Sequence, residues 1–256
     1  MAVAALGLLA ALGLMLAVWL ASLVYRDASL VDRFWGAGFV LLVWVYWLAA
    51  GGPSTGLIPV LAVTLWGGRL SLYLSWRNWG HGEDYRYQEM REAHGARFPL
   101  VSLGTVFLLQ AVILWLVAMP LLPASGAESL TTGWLLLGLL LWAIGFLWEA
   151  IGDWQMARFK ADPANRGQVM DQGLWRYSRH PNYFGEIVLW WGFYCMALAA
   201  GGWWTIFGPA LMTFLLVRVS GVALLEKKLN ETRPAYRDYI QRTNALLPAP
   251  PWRGSA

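Results

Sequence analysis

Apolar runs of about twenty residues recur along this chain, and each is long enough to cross a hydrocarbon core about 30 Å thick as one helix. The first, "MAVAALGLLAALGLMLAVWLASLVY", carries no charged side chain. It lacks the basic flank of a secretory signal and exceeds the roughly 7–15 residues of a signal's apolar core, so a retained first span is expected. A window of about nineteen residues predicts about seven spans: Val3–Tyr25, Phe34–Ala50, Leu57–Trp76, Leu100–Leu122, Thr132–Ile151, Phe184–Ala200 and Trp203–Leu225. The second and sixth are short for the bilayer core and call for little tilt or for shelter by neighbours. With 58% hydrophobic and 13% charged residues among 256, the composition is that of an all-α integral membrane protein, since a soluble domain of this size needs more polar surface. A single membrane domain, 1–256, is expected.

Charge is distributed unevenly between the spans. Arg26 and Arg33 follow the first; Arg77, Arg86, Arg91 and Arg97 the third; Arg158, Lys160, Arg166, Arg176 and Arg179 the fifth; and a basic tail the seventh, whereas the segments after spans two, four and six hold no Lys or Arg. By the positive-inside rule the N-terminus lies outside and the C-terminus in the cytoplasm. The cytoplasmic segments "RNWGHGEDYRYQEMREAHGARF" and "DWQMARFKADPANRGQVMDQGLWRYSRHPN" are longer than passive connectors. They predict cap loops over a polar pocket suited to something anionic and something planar, beyond the anchoring of helix ends at lipid headgroups. The basic residues are interspersed with carboxylates and form no continuous stripe, which argues against nucleic acid and for contact with membrane lipid. Cys195 is the lone cysteine, so an intrachain disulfide is excluded, and His81, His94 and His180 are isolated, so no metal site is expected. A monomer is expected.

Several polar residues stand where an apolar span begins or continues, positions at which such groups are costly and usually functional. Glu149 and Asp153, four apart, share one helix face. Gly138, Gly145 and Gly152 make a stripe that either lets another helix approach or leaves room for a flat ligand. Arg69, Glu186 and Arg218 are further ionisable groups that must pair in a structural network or meet a ligand. The densest cluster is "GLWRYSRHPNYFGE", Gly173 to Glu186, at the mouth of the sixth span.

That cluster, with "EKKL" and "AYRDYIQRTNALLP" after it, resembles the C-terminal half of the steroid 5-alpha-reductase family, bacterial branch. The wider superfamily also holds isoprenylcysteine carboxyl methyltransferases with a related "RHP.Y.G" segment. "LVDRFWG", "WGGRL" and "GEDYRY" extend the resemblance into the N-terminal half. It implies an NADPH-dependent membrane reductase with a cofactor cavity facing the cytoplasm of a bacterial inner membrane. Residues 1–122 would form the substrate side and 132–256 the cofactor-binding region. No Rossmann fingerprint is present, since Gly36 and Gly38 are followed by Leu41 where a third glycine is needed.

By position in the family motifs, Asn182 would hold the nicotinamide carboxamide beside Tyr183 and Glu186. Asp153 and Arg218 match family cofactor contacts, with Glu149 one turn before the aspartate where animal enzymes keep Asn. Arg179 and His180 fall in the same loop, and Arg158, Lys160 and Arg166 are phosphate partners by charge. Val222 and Glu226 stand where the animal enzymes have a histidine and a nearby tyrosine. The implied chemistry is hydride transfer to the β-carbon of an α,β-unsaturated ketone, a steroid-like enone, with a hydrogen-bond donor polarising the carbonyl. Asp32 matches the family acid. The family tyrosine aligns with Trp66, and Tyr87 or Tyr85 could replace it, Tyr87 being favoured. The alternative is a methyltransferase of the isoprenylcysteine type that uses S-adenosylmethionine.

Overall fold

A helix satisfies its own backbone hydrogen bonds and can therefore cross lipid alone. The computed structural model describes residues 1–219, 221, 222, 225, 226, 229 and 234–252, and every regular element among them is helical. In chain order they are α1 Ala2–Tyr25, α2 Leu30–Arg33, α3 Trp35–Ala49, α4 Leu57–Arg77, α5 Tyr85–His94, α6 Phe98–Ser102, α7 Leu109–Val117, α8 Leu121–Gly126, α9 Thr132–Ala161, α10 Pro181–Ala199, α11 Phe207–Phe214 and α12 Tyr236–Arg242. A wider π-helical turn, Leu103–Leu108, joins α6 to α7, and a second, Leu215–Val219, extends α11.

Among the described residues, four stretches are long and apolar enough to cross a membrane: Ala2–Tyr25, Ser54–Arg77, Tyr85–Val117 and Thr132–Ala161. The seven expected spans are thus not all of one kind. Helix α3 has 15 residues, about 22 Å at 1.5 Å per residue, and Trp203–Val219 is likewise a shorter apolar helix. The predicted sixth span corresponds to α10, whose first two turns carry Asn182 and Glu186. The seventh runs on, from Ser220, into residues only partly described. Two boundaries also move. Helix α9 continues past Ile151 to Ala161, so Arg158 and Lys160 ride on a helix, and "YRYQEMREAH" is helix α5 where a loop was expected.

The described chain divides into two compact units, one of Met1–Trp134 with Met196–Gly208, the other of Leu135–Cys195 with Pro209–Ala256. In the first, α3 packs on α1, α4 and α8, and α1 also packs on α7. Gly36 and Gly67 let α3 and α4 touch backbone to backbone, for a Cβ on either would strike the other's carbonyl oxygen. Phe39, Leu42, Tyr46 and Trp66 fill the core of this unit.

In the second unit a glycine seam joins α9 and α10. A Cβ on Gly145 would collide with the Gly185 carbonyl, one on Gly185 with the Glu149 backbone, and one on Gly192 with the Gly138 carbonyl. The stripe on α9 therefore serves close helix packing. Helix α9 stops where Pro163 follows; Asp162 caps the next turn by accepting from the Ala164 N–H at 2.9 Å, and Asn165 Nδ2 donates to the Phe159 carbonyl at 3.0 Å.

Candidate functional site

The glycine seam decides which side chains meet in the second unit. With α9 and α10 in backbone contact, Glu149 and Asp153 on one helix and Glu186 on the other are all buried. Asn182 sits in the first turn of α10, and its Nδ2 donates to Asp153 Oδ1 at 3.3 Å. With the amide so oriented, its own carbonyl oxygen is buried and has no donor among the described residues. An acceptor in that state costs free energy until something supplies an N–H or O–H. Tyr183, half-buried, stacks on the His180 ring with centroids 5.5 Å apart and planes 7° from parallel.

The loop before α10 is fixed from two sides. Trp175 Nε1 donates to the Gly152 carbonyl at 3.0 Å and Leu174 N–H to Gln155 Oε1 at 2.9 Å, both on α9. From the C-terminal side, Arg179 donates through Nε to Glu226 Oε1 at 2.8 Å and through Nη1 to the carbonyls of Ile240 at 3.2 Å and Thr243 at 2.5 Å. His180 Nε2 also faces Glu226 Oε1, at 3.2 Å. Arg179 and His180 are 8% and 3% exposed, so they present almost no surface to a ligand. Burial by itself would raise the Glu226 carboxyl, but hydrogen bonds from His180 and Arg179 hold it below the usual glutamate value.

The remaining cofactor candidates are more open. Arg158 and Lys160 are exposed on the last turns of α9, with the Arg158 guanidinium 5.6 Å from the Trp154 ring centre, and Arg166 is exposed in the following loop. Arg218 is exposed within the π-turn at the end of α11. Such turns insert a residue into the helical ladder, redirect the side chains beyond it and are frequent at functional sites.

In the first unit the acid singled out in the sequence has found a tyrosine. Tyr87 Oη donates to Asp32 Oδ1 at 3.0 Å, and Arg86 Nη2 donates to Asp32 Oδ2 at 2.9 Å. Helix α5 delivers both because Asp84 caps it, accepting the Arg86 N–H at 3.0 Å and Arg86 Nε at 2.9 Å. Glu83 ties the same turn to the α1–α2 connection: it accepts the Ala28 N–H at 2.7 Å and Arg91 Nη2 at 2.8 Å. Asp32 is crowded by protein yet keeps 28% of its side chain exposed, as a carboxyl lining a recess would. Burial raises it above the ordinary aspartate value, outweighing Arg86 and Tyr87, which pull it down.

Trp66, the residue aligned with the family tyrosine, is wholly buried and packs on Phe39 at 5.6 Å between ring centres. Its indole is closed to any ligand in this conformation, and Tyr87 rather than Tyr85 reaches Asp32. Arg86, Asp84, Glu83 and Glu226 acquire site contacts that the sequence reading did not assign; an aspartate just ahead of "YRYQEMREAH" was a legible cap signal. Among the described residues no group of three or more His, Cys, Asp or Glu side chains could hold a metal ion.

Comparison with known proteins covers most of the chain. A family model described as "Protein of unknown function (DUF1295)" matches residues 18–243. An uncharacterized protein of Schizosaccharomyces pombe is 30% identical over 262 aligned positions, covering 90% of this chain and 75% of the relative. The probable O-methyltransferase ustE of Ustilaginoidea virens is 32% identical over 92, which is 36% of this chain and 31% of that protein. No solved structure matches.

Proposed function

We propose, from the premise that this chain belongs to the DUF1295 family of the steroid 5-alpha-reductase superfamily, that it is an NADPH-dependent membrane reductase acting on the C=C of an α,β-unsaturated ketone. The observation that carries the reading is the buried, donorless carbonyl oxygen of Asn182, held in place by Asp153. A nicotinamide carboxamide offers the N–H that this oxygen lacks, and because the oxygen is covered in this conformation, the first turn of α10 must yield for the cofactor to reach it. Arg158, Lys160, Arg166 and Arg218 are exposed cations, unlike the buried Arg179, and suit an anionic diphosphate and 2′-phosphate. Bound there, NADPH would supply the hydride.

The chain's own chemistry then falls to Asp32 and Tyr87. As hydride adds to the β-carbon, negative charge builds on the ketone oxygen, and a donor aimed at that oxygen lowers the barrier. Asp32, with 28% of its side chain exposed, is the accessible member of the pair and donates once protonated; Tyr87, 6% exposed, turns its hydrogen from Asp32 to the ketone only where α5 yields enough to uncover its Oη. The enolate then takes a proton from water at its α-carbon, which with the hydride completes the two-electron reduction of the C=C. The substrate class is a lipophilic enone, most simply a 3-oxo-Δ4 steroid or related lipid, with the cofactor region on the cytoplasmic face of a bacterial inner membrane.

A second reading, methyl transfer from S-adenosylmethionine to a lipidic acceptor, is favoured by the stretch shared with the probable O-methyltransferase. The ammonium of that ligand could also donate to Asn182. Thermal-shift measurements with the two ligands separate them. NADPH should stabilise the purified protein and S-adenosylmethionine should not, and Asn182→Ala should abolish the NADPH effect. Stabilisation by S-adenosylmethionine alone would overturn the reductase reading.

A further inference from the structure

The segment from α12 to Trp252 is bonded to the loop before α10 at several points. Ala249 N–H donates to the Tyr177 carbonyl at 3.0 Å, and Arg179 N–H to the Asn244 carbonyl at 2.9 Å. Ser178, with no exposed surface, donates through Oγ to the Leu246 carbonyl at 2.8 Å and accepts the His180 N–H at 3.1 Å. Tyr239, 1% exposed, donates to the Trp175 carbonyl. The Arg179 guanidinium caps the C-terminal carbonyls of α12 and is neutralised by Glu226. His180 in turn begins α10, its carbonyl accepting from the Phe184 N–H at 3.0 Å. Asn182 is thus three residues from an arginine whose donors face Glu226 and two tail carbonyls.

We infer that residues 236–252 are a working part of the ligand site and that Arg179 is a positioning residue: it clamps the start of α10 to this tail and thereby aims Asn182, without touching the ligand. The inference rests on the assignment of Asn182 to the ligand, and it assigns Arg179 a role other than the phosphate contact its charge suggests. The two roles predict opposite signs. If Arg179 gripped a phosphate, Glu226→Ala would release its guanidinium and remove a nearby negative charge, and anion binding would tighten. If Arg179 positions, Glu226→Ala loosens the clamp and binding weakens.

The test uses the full-length purified protein and measures the dissociation constants of NADPH and NADH, and of S-adenosylmethionine if wild type binds that instead. Glu226→Ala should weaken whichever ligand binds by about tenfold, the scale of one charge-assisted hydrogen bond. Glu226→Gln, which keeps an acceptor oxygen, should recover part of the loss. Arg179→Lys should weaken NADPH and NADH by the same factor, because a residue that does not touch the 2′-phosphate cannot alter their ratio. Tighter binding by Glu226→Ala, or a collapsed NADPH to NADH ratio in Arg179→Lys, overturns the inference. Hydrogen exchange in the ligand-free protein gives an independent reading. Tyr239→Phe should speed exchange at the Arg179, His180 and Ala249 amides and leave Gly145–Gly152 of α9 unchanged; unaltered exchange at those three amides also overturns it. Should wild type bind neither cofactor, the reductase and methyltransferase readings fail, and the exchange pattern alone still decides whether the tail holds the loop.

Discussion

A carboxylate that accepts from both Tyr87 and Arg86, as Asp32 does, cannot donate to a ketone until it takes a proton. Burial moves it in that direction. Because its folded value is raised, the neutral form persists to higher pH than for an ordinary aspartate of 3.8. Any stability this group contributes is present below the ordinary value and lost as pH rises through the raised one. Turnover that uses the neutral acid should fall along the same window, and Arg86→Met should move the fall to higher pH, a shift read from pH–rate profiles. Asp32→Ala should leave NADPH binding intact and lower turnover by about 10²–10⁴-fold, the usual contribution of a positioned acid; near-normal turnover would remove Asp32 from the mechanism. Glu226 runs the other way. Its value is lowered, so its contribution is present above the ordinary 4.5 and lost as pH falls through the folded value. Acid should therefore loosen the tail before it unfolds the apolar helices, visible as early exchange of the Arg179 amide. Asp32 and Asn182 stood out in the sequence because they fall in motifs that resemble the reductase family, Asn182 also because polar groups crowd the mouth of its apolar run. The fate of Arg179 did not, since its acceptors lie 47 and 64 positions further on and nothing local marks them.

At the level of the element, the α9–α10 seam depends on glycines at the points of backbone contact. Gly185→Val would drive two methyl groups into the Glu149 backbone, and Gly145→Val into the Gly185 carbonyl. Each should destabilise by at least about 1–3 kcal/mol, the cost of overpacking, and both should impair ligand binding by parting Asp153 from Asn182. Gly133→Ala, where a Cβ meets nothing, is the control, and thermal midpoints of the three variants compare them. The glycine spacing was visible in the sequence, but whether it admitted a helix or a ligand depended on which helix faces it, a long-range fact. Helix ends were the weaker part of the sequence reading for a related reason. Hydropathy falls where charge begins, while a helix can continue as far as its backbone and caps allow, as α9 does to Ala161.

For the molecule as a whole, membrane insertion was legible from the length and apolarity of the runs, four of which form helices able to cross a bilayer unaided. The shorter α3 is lined on one side by α1, α4 and α8, and composition cannot report such shelter. The orientation expected from the basic segments is open to direct test. With the buried Cys195 replaced by alanine, single cysteines at Arg166 and at Glu128 should differ: an impermeant maleimide applied to intact cells should label Glu128→Cys and spare Arg166→Cys. The opposite pattern would invert the topology.

The bonds between the loop at Ser178–Arg179 and its partners 64–68 positions onward also set an order of events during synthesis. A nascent chain leaves the ribosome from its N-terminus, so the apolar helices up to α10 can enter the bilayer while that loop still waits for its carbonyl acceptors. A chain stalled before residue 236 should therefore be inserted and protease-protected, yet unable to hold its ligand.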